Sequence, residues 1–279
     1  MSGADAVSIR SAATVILVRD GEPGLEVFML RRNPKSDFVP GQFVFPGGAV
    51  DTADGDDPDL AAMCLGHDDE SASAKLRLPA GGLAYFVAAV RECFEEAGVL
   101  LGRRGGQTIP FVQPDTIERF EGLRREIYSG DLSMAEMCRA ENIRLDFSDL
   151  RYVSHWITPI GPPKRFDTRF FIAHAPDGQR PLHDGSETVE STWITPSEAV
   201  RLHEAGEFQM IMPTIANLRP LLELATVEDV MTWADSLVDI PEILPAIVPN
   251  GEGPHRVLMP WDLGYAEALA SPPAPGSTM

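Results

Sequence analysis

The sequence predicts an α+β fold, with helices packed on a mixed β-sheet. Three observations carry this expectation. Short apolar runs of strand length, bounded by Gly, Pro or Asn, occur within the first 50 residues and again between residues 150 and 195. A long stretch of helical period lies between the two groups, at residues 83–97. Several further helical segments follow the second group of strands, and no internal repeat organises the chain.

In chain order, residues 12–18 (AATVILV) read as a buried strand, 21–24 (GEPG) as a turn and 25–30 (LEVFML) as a second strand, so the pair forms a hairpin. Residues 33–41 form a polar loop ending in Pro40-Gly41. Residues 42–45 are a short strand stopped by Pro46-Gly47-Gly48. Residues 51–79 open acidic (DTADGDDPD), carry a short helical patch at 60–65 and read as an irregular insertion. The helix at 83–97 ends at Gly98, which can adopt the left-handed cap conformation. Helices are expected at 116–128 and 134–141, and strands at 152–158, 167–173 and 189–194. Pro196 and Pro213 open helices at 196–205 and 214–224, and a last helix covers 227–237. The Pro- and Ser-rich residues 271–279 read as a loose tail.

Composition narrows the function. The 279 residues are 44% hydrophobic and 23% charged, the balance of a globular protein with a core. No apolar run is long enough to span a bilayer, and the N-terminus lacks the pattern of a secretory signal, so no membrane partner is expected. Cys64, Cys93 and Cys138 have no CxxC spacing, which fits a reducing cytoplasm rather than a disulfide framework. The net charge of −19 argues against a nucleic-acid partner, which needs a basic surface. Clustered carboxylates instead bind a hard cation, and the cation binds phosphates.

The informative stretch is Arg91-Glu92-Cys93-Phe94-Glu95-Glu96-Ala97-Gly98-Val99. On a helix, Glu92 lies three and four residues from Glu95 and Glu96, which puts three carboxylates on one face. Phe86, Val90, Cys93, Phe94 and Ala97 form the opposite, apolar face. Like charges at these spacings destabilise a bare helix unless a cation lies between them. Oxygen ligands favour Mg²⁺ or Mn²⁺. The bland alternative is a solvated acidic face. Against it, the stretch matches REUxEExGU, with U apolar, at every position. Average composition would give that by chance on the order of once in 10⁴ to 10⁵ chains of this length.

The stretch resembles the second half of the Nudix box, Gx5Ex7REUxEExGU, and Phe45-Pro46-Gly47-Gly48 resembles the turn that opens it. Gly48 and Arg91 are 43 positions apart, whereas the uninterrupted box has 14, so about 29 residues are inserted. The first glutamate of the box is absent: counting forward from Gly48 reaches Asp54, and counting back from Arg91 reaches Leu83. A similar insertion marks the peroxisomal-type coenzyme A diphosphatases. That branch is also similar to this chain in FVPGQFVFPGG (38–48), AVRECFEEAGVLL (89–101) and RFDTRFF (165–171). The chain's last three residues, Ser277-Thr278-Met279, are not a peroxisomal address.

The resemblance implies a Nudix α/β/α sandwich with a mixed sheet over residues 1–205, an insertion at about 52–80 and a helical C-terminal extension at 206–270. It implies a hydrolase that cleaves a diphosphate bond in a nucleotide-like substrate, with CoA or acyl-CoA favoured. The alternatives are ADP-ribose or NADH pyrophosphatase, mRNA decapping, and a Nudix-like binding domain without catalysis. The implied metal ligands are the Gly48 carbonyl, Glu92, Glu95 and Glu96, holding Mg²⁺ or Mn²⁺. Arg91 is expected to orient the carboxylates. Glu187, in the loop before Trp193, is favoured over Glu190 and is the leading candidate for the base, with Glu92 the other. Arg31, Arg32, Lys35, Arg165 and Asp167, together with Lys164 and Arg169, are candidate substrate contacts. A homodimer is compatible with the C-terminal helices.

Overall fold

The computed structural model describes residues 7–36, 39–250 and 255–274. The chain opens with strands β1 (Ile9–Gly21), β2 (Gly24–Arg32), β3 (Phe43–Val44) and β4 (Gly47–Ala49). The insertion then forms α1 (Ala53–Asp56), α2 (Pro58–Ala62), β5 (Cys64–Leu65) and α3 (Asp69–Leu76). Helix α4 (Gly82–Ala97) follows, then β6 (Gly102–Arg104), β7 (Gln107–Thr108), α5 (Pro114–Tyr128), α6 (Met134–Glu141) and β8 (Ile143–Asp146). Strands β9 (Arg151–Ile157), β10 (Arg165–His174) and β11 (Thr188–Ile194) complete the centre of the fold. The C-terminal part comprises α7 (Pro196–Glu204), α8 (Met212–Leu218), a 3₁₀ turn (Arg219–Glu223), α9 (Val227–Ser236), β12 (Glu242–Ile243), β13 (Ala246–Val248), β14 (Arg256–Leu258) and α10 (Tyr265–Ala270).

The main sheet is mixed, in the order β11-β2-β1-β10-β9-β12, with β3 on β2 and β4 on β1. The long strand β1 runs parallel to β10 and antiparallel to β2 and β4. Both faces of its central part are covered, so Val15 to Val18 is one continuous apolar run rather than an alternation. On one face, Ala13, Val15, Leu17 and Phe171 pack against Phe86, Val90 and Phe94 of α4. On the other, Ile16, Val18, Phe170 and Ile172 meet Ala199, Leu218, Leu221 and Val230 from the C-terminal helices. The expected α+β sandwich is therefore the fold observed.

The insertion is more ordered than its composition suggests. The expected helical patch at 60–65 is helical only to Ala62, and Cys64–Leu65 is a strand running parallel to β8. A second sheet, β5-β8-β6-β7, ties the insertion to residues 102–146. Two- to four-residue strands are too short to show a period, so the sequence carries no signal for this sheet. Leu60, Ala72 and Leu76 join the core around α4.

The C-terminal extension is helical through Ser236 and then changes character. The helix expected at 214–224 becomes a 3₁₀ turn from Arg219, because Pro220 has no N–H to continue the ladder. Pro241, Pro245 and Pro249 recur every four residues and exclude a helix there. Instead β12 adds to β9 at the sheet edge, and β13 and β14 form a hairpin. Phe38 in the FVPGQFVFPGG stretch, and residues 275–279 of the expected tail, lie outside the described residues.

Candidate active site

Helix α4 presents the acidic cluster. Phe86, Val87, Val90, Cys93, Phe94 and Ala97 follow helical spacing and are at most 1% exposed. Asp69 of α3 accepts hydrogen bonds from the Gly81 and Leu83 N–H groups at 3.1 and 3.0 Å, satisfying donors at the start of α4. Gly98 ends the helix with φ 67°, as expected. The three glutamates do not lie on a solvated face. The Glu92 and Glu95 side chains are each 13% exposed, and Glu96 as a residue is 5% exposed.

Arg91 reaches back across the insertion. Its Nε and Nη2 donate to the two carboxylate oxygens of Asp54 at 2.8 and 2.9 Å, a two-point contact. Nη2 also donates to the Ala49 carbonyl at 2.8 Å, and Nη1 donates to Glu92 at 2.9 Å and Glu95 at 3.2 Å. Burial works against the guanidinium charge, but the ion pairs with Asp54, Glu92 and Glu95 outweigh it and hold Arg91 protonated. Asp54, the residue reached by counting six positions forward from Gly48, is thus tied directly to Arg91.

Gly47 and Gly48 are required for close approach rather than for an unusual backbone angle. Both lie in β4, and neither has positive φ. The Pro46-Gly47-Gly48 segment that stops the strand at 42–45 is therefore extended at both glycines rather than a tight turn. A Cβ on Gly47 would lie 2.6 Å from the Ala13 carbonyl oxygen, and one on Gly48 would lie 2.5 Å from Glu92 Oε1. The Gly47 N–H donates to Glu96 Oε2 at 2.8 Å. The strand and the helix are thereby pressed together with the carboxylates between them.

These carboxylates are short of positive charge. Burial pushes the Glu92 carboxyl up to about 7 despite Arg91, raises Glu95, and raises Glu96 well above the usual range. Among the described residues no three acid, His or Cys side chains are already gathered around one point. Arg91 Nη1 is shared between Glu92 and Glu95. The donor chemistry nevertheless fits a divalent cation: buried oxygen ligands on adjacent turns, with more negative charge than one guanidinium offsets.

The cluster opens into a cleft of about 830 Å³ on the far side of β4. Its floor includes Ala12, Thr14, Phe166, Thr168 and Trp156, and its far wall includes Met212, Pro213, Thr214, Pro245 and Val257. Gly48, Arg91, Glu92, Glu95, Glu96, Glu187 and Arg32 all line it. Asp184 holds the loop before β11 through the N–H groups of Ser186, Glu187 and Thr188. Glu187 lies 3.7 Å from Arg32, whereas Glu190 turns away to Arg31.

Five of the candidate substrate contacts, Arg31, Lys35, Arg165, Asp167 and Arg169, lie elsewhere. Arg31 bonds Glu190 and lies over the Phe43 ring, and the Lys35 backbone N–H bonds Asn33. Arg165 donates to the Thr158 carbonyl. Asp167 accepts from Arg169 at 2.9 Å and is bonded to His155 on the α4 side of the sheet, where Arg169 also covers the Tyr85 ring. The reason is the two-residue period of a strand: Phe166, Thr168 and Phe170 face the cleft, so Arg165, Asp167 and Arg169 cannot. Lys164 does line the cleft, and so do Arg10, Tyr128 and Trp156, which sequence reasoning did not select. Once a strand register is known, that same alternation would have chosen Thr168 and Trp156.

Comparison with known proteins agrees with this geometry. A family model for the NUDT19 Nudix domain matches residues 57–221. The acyl-coenzyme A diphosphatase NUDT19 of Homo sapiens is 29% identical over 276 residues, covering 88% of this chain and 73% of that protein. Its Gallus gallus counterpart is 27% identical, covering 92% and 80%. The putative nudix hydrolase 7 of Caenorhabditis elegans is 31% identical, covering 78% and 62%. The crystal structure of a NUDIX hydrolase from Alicyclobacillus acidocaldarius superposes with a TM-score of 0.66 at 29% identity, covering 81% of this chain and 96% of that one. With the family match spanning more than half of the sequence and a bacterial Nudix hydrolase sharing the fold, the chain belongs to the NUDT19 Nudix-domain family and is a Nudix-type diphosphatase.

Proposed function

We propose that this enzyme hydrolyses the diphosphate of CoA and acyl-CoA, giving adenosine 3′,5′-bisphosphate and 4′-phosphopantetheine or its acyl form. The observation that carries the reading is the buried, under-neutralised carboxylate cluster lining a cleft of about 830 Å³ whose other walls include Phe166, Trp156, Met212 and Val257. The relatives named acyl-coenzyme A diphosphatase support the choice of substrate.

Glu92, Glu95, Glu96 and the Gly48 carbonyl are the proposed ligands for Mg²⁺ or Mn²⁺. Such a cation neutralises phosphate oxygens and lowers the pKa of a bound water. Arg91, fixed by Asp54, positions Glu92 and Glu95. Water attacks one phosphorus, the bridging P–O bond breaks, and the water's proton passes to Glu187. Arg32, with Arg10 and Lys164 on the same cleft, offers positive charge to the substrate's phosphates. Residues 206–270 act with the Nudix domain at 1–205, since Met212, Pro245 and Val257 wall the cleft. The three cysteines are free and buried, which supports a reducing compartment such as the cytoplasm. Among the described residues no helix is long and apolar enough to cross a membrane.

The test is a comparison of kcat/KM for CoA, an acyl-CoA, ADP-ribose, NADH and nucleoside triphosphates with Mg²⁺ and with Mn²⁺. CoA or acyl-CoA is expected to lead by about tenfold or more, some 1.4 kcal/mol of transition-state discrimination. A tenfold preference for ADP-ribose or NADH would remove the CoA assignment.

A further inference from the structure

The cations of the cleft fall into two groups. Arg91 and Arg32 sit among the acids: Arg91 is bonded to Asp54, Glu92 and Glu95, and Arg32 lies 3.7 Å from Glu187. Arg10 and Lys164 line the same cleft further along β1 and β10. Arg10 has no carboxylate partner among the described residues. In a chain of net charge −19, two cations set side by side on a cleft have an anion as their natural counterpart.

Sheet register brings the two together and sets their distance from the acids. Alternation along β1 turns Arg10, Ala12 and Thr14 towards the cleft. Arg10 pairs with Phe166 of β10, and Lys164 precedes Phe166 by two residues. Ala13, three residues beyond Arg10, pairs with Gly48. At roughly 3.3 Å per residue, the Arg10 backbone lies about 10 Å along β1 from the Gly48 row. In CoA, six bonds separate the 3′-phosphorus from the nearer phosphorus of the diphosphate, on the order of 7 Å when extended. An arginine side chain has about the same reach. With the diphosphate at the carboxylates, a 3′-phosphate therefore comes within reach of Arg10. Phe166, on the same stretch of cleft, offers an aromatic face beside it for the adenine.

We infer that Arg10 and Lys164 form a subsite for the 3′-phosphate of the adenosine half, and that the enzyme thereby selects CoA over 3′-dephospho-CoA. The inference rests on the CoA reading of the catalytic cleft. The ligand group is a phosphate monoester on a ribose. Arg10 offers its oxygens a planar fork of donors, and Lys164 a point charge. ADP-ribose and NADH carry a hydroxyl on that ribose carbon and forgo the contact.

The experiment compares kcat/KM for CoA and 3′-dephospho-CoA with Mg²⁺, in the full chain and in Arg10→Gln, Lys164→Gln, the double variant and Arg165→Gln. Arg10 and Lys164 are exposed, so their replacement spares the core. Arg165 is next to Lys164 in sequence, but it donates to the Thr158 carbonyl and lies off the cleft lining. Arg165→Gln therefore removes the same charge outside the subsite. The wild type is expected to prefer CoA by about tenfold or more, the scale of a charge-assisted phosphate contact. Each single cleft variant is expected to cut that ratio about threefold or more, and the double variant to bring it close to parity, while Arg165→Gln keeps it. Inhibition constants give a readout independent of turnover. Adenosine 3′,5′-bisphosphate is expected to bind the wild type more tightly than AMP does, and to lose that advantage in the double variant. A wild-type ratio at parity, or one that survives in the double variant, would overturn the inference. So would an equal fall in Arg165→Gln, which would assign the effect to the overall field of the protein. Failure of the wild type to cleave either substrate would overturn the CoA reading itself, a separate outcome.

Discussion

Asp54 and Arg91, 37 residues apart, form a two-point ion pair whose carboxylate is 2% exposed and whose guanidinium is 10% exposed. Asp54 also accepts the Asp51 N–H at 2.8 Å, so the pair joins the end of β4, the first turn of the insertion and helix α4. Asp54→Asn keeps the size but leaves Arg91 with less compensation in a buried setting. A loss of about 3–5 kcal/mol is expected, the range for breaking a buried pair from one side. Urea denaturation with and without Mg²⁺ measures it. A variant as stable as the wild type would show that the pair is incidental.

Glu96 separates catalysis from stability. It is 5% exposed, accepts from the Gly47 N–H, and has a carboxyl held well above its usual range by burial and by Glu92. Glu96→Gln keeps the size and removes a carboxyl whose ionised form the metal-free fold disfavours. Turnover should fall by about two orders of magnitude or more, the scale of a lost transition-state charge contact. The melting temperature without metal should stay level or rise. Retained turnover would remove Glu96 from the metal set.

The same burial makes the metal-free protein sensitive to pH. Glu92, Glu95 and Glu96 hold protons in the fold at pH values where the unfolded chain has released them. The native state then binds more protons than the unfolded state, so stability falls as pH rises. For Glu92 the window runs from the ordinary carboxyl value of 4.5 to about 7. That shift corresponds to roughly 3 kcal/mol. Thermal melts in EDTA should therefore decline between pH 5 and pH 8, and Mg²⁺ or Mn²⁺ should raise the melting temperature more at pH 8 than at pH 5. Flat melts in EDTA across this range would contradict the charge deficit.

Gly48 admits no side chain without moving Glu92. A Cβ there would meet Glu92 Oε1 at 2.5 Å. Gly48→Ala is expected to cost about 1–3 kcal/mol of stability through overpacking. It should also weaken Mg²⁺ and Mn²⁺ binding, read by titration calorimetry, because Glu92 is displaced. Unaltered metal affinity would show that neither Gly48 nor the position of Glu92 matters to the ion.

Glu187 is the test of proton transfer. It lines the cleft beside Arg32 and is half exposed, so Glu187→Gln should leave folding intact. Its kcat is expected to fall about 10²-fold or more and to lose the acidic limb of its pH profile. An unchanged acidic limb would pass the role to Glu92.

The sequence by itself determined the fold class, the helix that carries the acids and the chemistry of the acids themselves. A 16-residue helix and strands of seven to thirteen residues are long enough for their apolar period to be read. The REUxEExGU spacing places its carboxylates on one helical face whatever surrounds it. Tertiary structure alone decided which cations and walls those acids meet. Asp54 becomes the partner of Arg91 because the insertion folds back as short helices, a path that no local pattern in DTADGDD specifies. Arg32 faces the cleft while Arg31, Arg165 and Asp167 do not, because a shift of one residue along a strand reverses the face. Register is fixed by pairing between strands more than 100 residues apart, as Ala12 with Thr168. That pairing is what sets Trp156 in one row of the sheet with Ala49, whose carbonyl Arg91 holds.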